Sequence, residues 1–199
     1  MNGGKYERGL ATREKILEAA VDLFYEYGFA RTSTRDVVGK VGMSSSAIYN
    51  HFPDKNQVLF TIIQRAGEKV QIMLEEIIEE HDDPEECLRQ MISKMLHVFR
   101  AGLMRKEIAI FIDELYQLPR DLRWICSKQH RQIFNLFEKE VHKVKNGAVA
   151  SSLNDTVATF GVIGAMLWVY HWYRDNGPLS IEEISDDLIS LLFHGLIGK

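Results

Sequence analysis

Thr32-Ser33-Thr34-Arg35-Asp36-Val37-Val38-Gly39-Lys40-Val41-Gly42-Met43-Ser44-Ser45-Ser46-Ala47-Ile48-Tyr49-Asn50-His51-Phe52-Pro53-Asp54-Lys55 is the stretch that decides how this chain of 199 residues folds. Ser33 and Asp36 have the spacing of a capping box, a hydroxyl for the free amides of a first turn and a carboxylate at the positive end of the helix dipole. A helix is therefore predicted to begin there, with Val37, Val38 and Val41 on its apolar side. Gly42 supplies the cramped backbone that ends it. Ser44 is placed to cap a second helix in which Ile48 and Phe52, four residues apart, face inward, and Pro53 closes it. Two helices joined by a short turn containing Gly describe a helix-turn-helix, whose second helix enters the major groove of DNA.

The outward side of that second helix supports a DNA-reading role. Ser45, Ser46, Tyr49, Asn50 and His51 are short or hydrogen-bonding side chains with no apolar task. Asp54 can cap a third helix whose first turn holds Lys55, so a cation and free amides stand together where a phosphate binds.

Gly28-Phe29-x-x-Thr32-Ser33-Thr34-Arg35-Asp36, Gly42-Met43-Ser44, Ala47-Ile48-Tyr49-Asn50-His51-Phe52 and Asp54-Lys55 together resemble the TetR/AcrR family of bacterial transcriptional repressors. The resemblance covers roughly residues 12 to 60, and it departs from the family at Val38 and Val41, where alanine is usual. It implies an all-α fold: a three-helix helix-turn-helix head followed by a larger ligand-binding and dimerisation body, about nine helices in all. The division expected is residues 1–55 for DNA binding and 56–199 for ligand binding and dimerisation. Ser45, Ser46, Tyr49, Asn50 and Arg35 are expected to meet bases or the groove wall. Thr32, Thr34, His51 and Lys55 are expected to hold phosphates, with Ser44 at the head of the reading helix.

Composition agrees with a folded chain: 46% of residues are apolar and 26% charged, enough for one core or for a small head joined to a larger body. Residues 1–55 hold eight Lys/Arg against seven Asp/Glu, and the remainder sixteen against twenty-one. A head this weakly basic would draw DNA affinity from a few placed contacts and from pairing, not from a broad positive field. Cys87 and Cys126 lie far apart with no Cys-x-x-Cys spacing and no signal peptide ahead, so both are read as core thiols of a cytoplasmic protein. The longest nearly unbroken apolar run, Val157 to Tyr170, is 14 residues. A membrane span needs about 18 or more, so none is expected.

In chain order, Met1 to Leu10 lacks periodicity and reads as an arm. Thr12 then caps a helix of Arg13 to Tyr27, stopped by Gly28. A long helix from Asp54 ends at His81-Asp82-Asp83-Pro84; a metal site there lacks partner spacing, and none is expected. Gly67 near its middle is either a hinge or a packing concession. Amphipathic helices are predicted over Pro84–Leu103, Arg105–Leu118 and Arg120–Lys145. Their Met and Phe content suits an adaptable pocket, and Arg123, Gln129 and His130 place polar groups beside apolar walls. Met95, Phe99, Phe111, Arg123, Gln129, His130, Phe134 and Trp168 are the candidate ligand contacts.

The last helices, Asp155–Arg174 and Ser180–Gly195, are joined by Asn176-Gly177-Pro178. Gly161, Gly164 and Ala165 would let another backbone approach, while Leu188, Leu192, Phe193 and Leu196 form an apolar face that a twofold partner would cover. The family resemblance implies that these two helices build a homodimer interface, and two half-sites about 34–36 Å apart require such a dimer.

No Gly-rich phosphate loop, Gly-x-Ser-x-Gly elbow, His-Glu-x-x-His or paired cysteines occur, so neither an enzyme nor a cofactor is expected. Two classes stay open: a ligand-responsive repressor at a palindromic operator, and an α-helical carrier keeping the head as a structural domain. Trp172-Tyr173-Arg174-x-x-Gly177-Pro178-Leu179-Ser180 is similar to the tail of family members that sense acyl-coenzyme A esters, which implies a hydrophobic or acyl-CoA effector. An aromatic, multidrug-type effector is the alternative.

Overall fold

The computed structural model describes residues 3–44, 46–100, 102–147 and 153–194. Among them there are eight α-helices and no strand: α1 Gly3–Tyr27, α2 Thr34–Lys40, α3 Lys55–Glu80, α4 Pro84–His97, α5 Leu103–Asp113, α6 Arg120–Gly147, α7 Asp155–Trp172 and α8 Ile181–His194. Single 3-10 turns lie at Ile48–Asn50 and Leu115–Gln117. The ninth helix expected, the one after Gly42, is the first of these turns.

Side-chain caps fix most of the starts. Asp54 Oδ1 accepts from the amide of Gln57 at 2.9 Å and so opens α3. Asp83 accepts from Glu86 N at 3.0 Å with Pro84 in the first turn of α4, and Asn154 accepts from Val157 N at 3.2 Å ahead of α7. Ser180 and Glu183 form a reciprocal capping box for α8, with bonds of 3.1 and 2.8 Å. At the other end of α3, His81 Nδ1 donates to Ile77 O at 2.9 Å, so this histidine serves a helix end.

The first helix is longer than expected. Thr12 is not its cap but an interior residue, and its hydroxyl donates to Arg8 O at 2.8 Å. Lys5, Glu7, Arg8, Leu10 and Ala11 before it are good helix formers, which offsets Gly3, Gly4 and Gly9. Tyr6 and Leu10 on this extension are exposed.

Two compact units divide the chain: Met1–Gly67 with Lys106–Gln129, and Glu68–Arg105 with His130–Lys199. Packing thus draws its boundary elsewhere than the functional division expected at residue 55, because α3, α5 and α6 each contribute residues to both units.

In the first unit α1 packs on α2, and Ile16, Leu17, Phe24, Leu59, Ile62 and Ile63 are buried. Each such side chain contributes about 1.5–3 kcal/mol. Gly67 is explained by packing: a Cβ there would stand 2.5 Å from Cδ of Gln129, whose buried amide donates to Gln64 O and accepts from Gln64 Nε2, both at 3.2 Å. In the second unit α4 packs on α7 and α8, and its Met91, Ile92 and Leu96 are fully buried. Cys87 and Cys126 are both buried free thiols, and burial raises the pKa of each, Cys87 to about 11. Among the described residues no helix is long and apolar enough to cross a membrane.

Candidate nucleic-acid interface

The capping box at the start of α2 is complete. Ser33 Oγ accepts from Asp36 N at 3.2 Å, and Asp36 Oδ2 accepts from both Ser33 N and the Ser33 hydroxyl at 2.7 Å. Those two bonds hold the Asp36 carboxyl below its ordinary pKa. The helix ends in a Schellman arrangement: Gly42 has φ +69°, and Met43 N donates across it to Val38 O at 2.9 Å.

After Gly42 the structure departs from the expected helix. Only Ile48–Asn50 forms a 3-10 turn, with Ala47 N bonded to Ser44 O and Phe52 N to Ile48 O. Ser44 does not cap a helix; its hydroxyl and that of Ser46 are 3.1 Å apart. Serine hydroxyls compete with helical backbone bonding, and three stand in a row at Ser44, Ser45 and Ser46. Ser45 lies outside the described residues.

The corner nonetheless has an inside and an outside. Ile48 is 1% exposed and Phe52 2%, and the Arg13 guanidinium lies 4.7 Å from the Phe52 ring centre. Tyr49, by contrast, is 57% exposed, Ser44, Ser46, Asn50 and Arg35 are exposed, and Thr34 and His51 are half-buried. These side chains share one segment and can offer hydroxyl, amide, imidazole and guanidinium groups to bases and phosphates.

Two expected phosphate contacts prove to have internal tasks. Thr32 is buried, and its hydroxyl donates to Gly28 O at 2.9 Å and to Leu23 O at 3.3 Å. Lys55 donates to Phe29 O and Thr32 O, each at 2.8 Å, with its ammonium 4.0 Å from the Phe29 ring centre. Burial pushes the Lys55 pKa down, and Glu114 works against that shift. The loop between α1 and α2 turns through Gly28 at φ +81°, exposing carbonyls that need donors, and Lys55 and Thr32 supply them.

Residues remote in sequence hold this head together. Glu114 accepts from Phe29 N at 3.0 Å, and Asp22 receives Lys106 at 2.6 Å and Lys40 at 2.7 Å. Both lysines hold the Asp22 carboxyl below its usual range. Nothing in the spacing of these charges singled them out.

The eight expected ligand contacts divide between the two units. Phe111, Arg123 and Gln129 belong to the first unit and Met95, Phe99, His130, Phe134 and Trp168 to the second. Phe99 is fully buried against Tyr170, ring centres 5.8 Å apart, and the Phe134 ring lies tilted against that of Phe160, centres 4.7 Å apart. Trp168 is 67% exposed on α7. Burial pushes the His130 imidazole down to about 4. A cleft of about 480 Å³ in the second unit is lined instead by residues that include Met73, Lys94, His97, Arg100, Met104 and Arg105. The run Lys94, His97, Arg100, a basic residue at every third position, was the sequence signal for it, and it reads equally as a solvated helix face.

On α7, Gly161 and Gly164 have no atom within 4 Å of where a Cβ would stand, and Val157, Phe160 and Trp168 are exposed beside them. Ala165, Leu188, Leu192 and Phe193 are half-buried, the last under the Arg89 guanidinium at 4.2 Å. Leu196 lies outside the described residues.

Comparison with known proteins places this geometry. The family described as "Bacterial regulatory proteins, tetR family" matches residues 16–62, and "Tetracyclin repressor-like, C-terminal domain" matches residues 81–196. The transcriptional repressor KstR2 of Rhodococcus jostii is 24% identical over 187 residues, covering 92% of this chain and 90% of its own. A TetR-family regulator from Bordetella parapertussis superposes with a TM-score of 0.85 at 20% identity, over 94% of this chain and 96% of that one. The structure of AibR in complex with isovaleryl coenzyme A and operator DNA gives 0.85 at 24% identity, over 91% and 97%. Matched over residues 16–62 and again over 81–196, the chain belongs to the TetR family of bacterial regulatory proteins.

Proposed function

We propose that residues 1–55 read a palindromic operator in the cytoplasm as one half of a homodimer, and that residues 56–199 carry the dimer contact and the effector site. The observation that carries this reading is the sidedness of the Gly42–Pro53 corner: Ile48 and Phe52 are buried while Tyr49 is 57% exposed. Tyr49, Asn50, Ser46 and Arg35 meet base edges or the groove wall; Thr34 and His51 hold phosphates. A chain that kept the head only as structure would gain nothing from that outward set, which speaks against the carrier and enzyme readings.

The exposed glycines and aromatic residues of α7 are the dimer surface, joined by Leu188, Leu192 and Phe193 of α8. The effector is an amphipathic molecule of the acyl-coenzyme A kind, the class of the isovaleryl coenzyme A held in the AibR complex. Its binding favours a different setting of α3, which runs unbroken from Lys55 to Glu80, and so alters the spacing of the two heads. A coupling of about 1–3 kcal/mol would weaken operator binding roughly 5- to 150-fold.

Fluorescence anisotropy with the DNA upstream of the chain's own gene tests the reading. The native protein should bind in a salt-dependent, sequence-selective way, and Tyr49→Ala should lose about tenfold or more in specific affinity with an unchanged melting temperature. Equal affinities for both proteins would overturn the assignment.

A further inference from the structure

The cleft in the second unit has an unusual charge pattern. Lys94 and His97 of α4, Arg100 just beyond it and Arg105 in the first turn of α5 all line it, whereas no Asp or Glu does. The carboxylates that reach these side chains come from outside and hold them loosely. Glu182 lies 3.3 Å from Arg100 and 3.6 Å from His97, and Asp175 lies 3.5 Å from Arg105. Among the described residues Lys94 has no carboxylate partner, and Nε of Arg105 is buried without a hydrogen-bond acceptor. A buried charged donor left unmatched is costly, and guanidinium forks suit phosphate oxygens. The start of α5 adds to this, because Gly102 precedes it with no side chain to cap the free amides, and Gly102 also lines the cleft. Met73 and Met104 complete the wall with apolar, deformable surface.

We propose that this cleft receives the phosphate-bearing end of an amphipathic effector, with Lys94, Arg100 and Arg105 on its phosphate oxygens and the two methionines against the start of its apolar chain. The assignment rests on the effector reading above and gives that effector its charged end. At about 480 Å³ the cleft falls within the range of small-molecule sites.

The test is calorimetric titration of the full chain with dodecanoyl-coenzyme A, with dodecanoyl-pantetheine, which keeps the chain and thioester but lacks phosphate, and with inorganic pyrophosphate. The expected result is at least a tenfold preference for the coenzyme A ester over the pantetheine ester. Lys94→Gln/Arg100→Gln, two exposed positions, should remove most of that preference and weaken pyrophosphate binding, with an unchanged melting temperature. Lysophosphatidate of the same chain length, titrated alongside, tells a lipid phosphate from the coenzyme's as the source. Equal affinity for the two esters, or a preference that survives the double substitution, overturns the proposal. So does pyrophosphate binding no tighter to the native chain than to the variant. Operator binding without any ester is scored separately: its loss overturns the regulator reading and leaves a measured ester preference standing.

Discussion

The side-chain amide of Gln129 occupies the place where a Cβ on Gly67 would stand, its Cδ only 2.5 Å from that point. Glycine in a helix interior costs about 1 kcal/mol against alanine, so Gly67→Ala would stabilise α3 if space were the only question. It is not, because the amide must leave two hydrogen bonds to Gln64 in a buried site. Gly67→Ala should lower stability by about 1 kcal/mol, and combining it with Gln129→Ala should recover at least that much relative to the sum of the single changes. Chemical denaturation of the four proteins measures the coupling; strict additivity would show that the two residues are independent.

Lys55 supports the head from within. Replacing it with Met removes two charge-assisted bonds to Phe29 O and Thr32 O and should cost about 1.5–3 kcal/mol in unfolding experiments. If the ammonium serves only these carbonyls, the slope of log affinity for operator against log salt should stay the same. A residue that neutralised a phosphate would take about one unit from that slope.

His130 makes stability depend on pH. Burial holds its folded pKa at about 4, below the ordinary 6.5. The unfolded chain therefore takes up this proton first: the stability is complete above pH 6.5 and is lost as pH falls towards 4, to a total of up to about 3 kcal/mol. His130→Gln should flatten that part of the profile in melts between pH 7 and 4.

Trp168 is 67% exposed, so Trp168→Asp leaves the fold of one chain intact. Sedimentation equilibrium should show the native protein as a dimer and the variant shifted to monomer, because a buried unpaired carboxylate is costly at an interface. A variant that stays dimeric would move the interface off this face of α7.

Most of the architecture could be read from the chain. Caps at Ser33, Asp54, Asp83, Asn154 and Ser180 act through neighbours within three residues, so they are visible in any local window. The buried pair Ile48 and Phe52, and the exposure of Tyr49 between them, followed from spacing alone. Other features depend on partners far along the chain. That Lys55 turns inward is decided by carbonyls 23 and 26 residues earlier, and Asp22 is claimed by a lysine 84 residues later. The cleft stayed hidden for a related reason: Met and Phe at helical spacing draw the eye as core or pocket, while its own walls carry basic residues that a helical pattern assigns to water.

On the reading proposed above, the corner between Gly42 and Pro53 separates what makes the protein stand from what makes it selective. Its shape depends on two buried side chains, Ile48 and Phe52, and on one 3-10 turn, so exchanging Ser44, Ser46, Tyr49 or Asn50 costs the scaffold almost nothing. Such a head can be retargeted to a new DNA word by surface changes alone, with the rest of the molecule, its response to effector included, inherited unaltered.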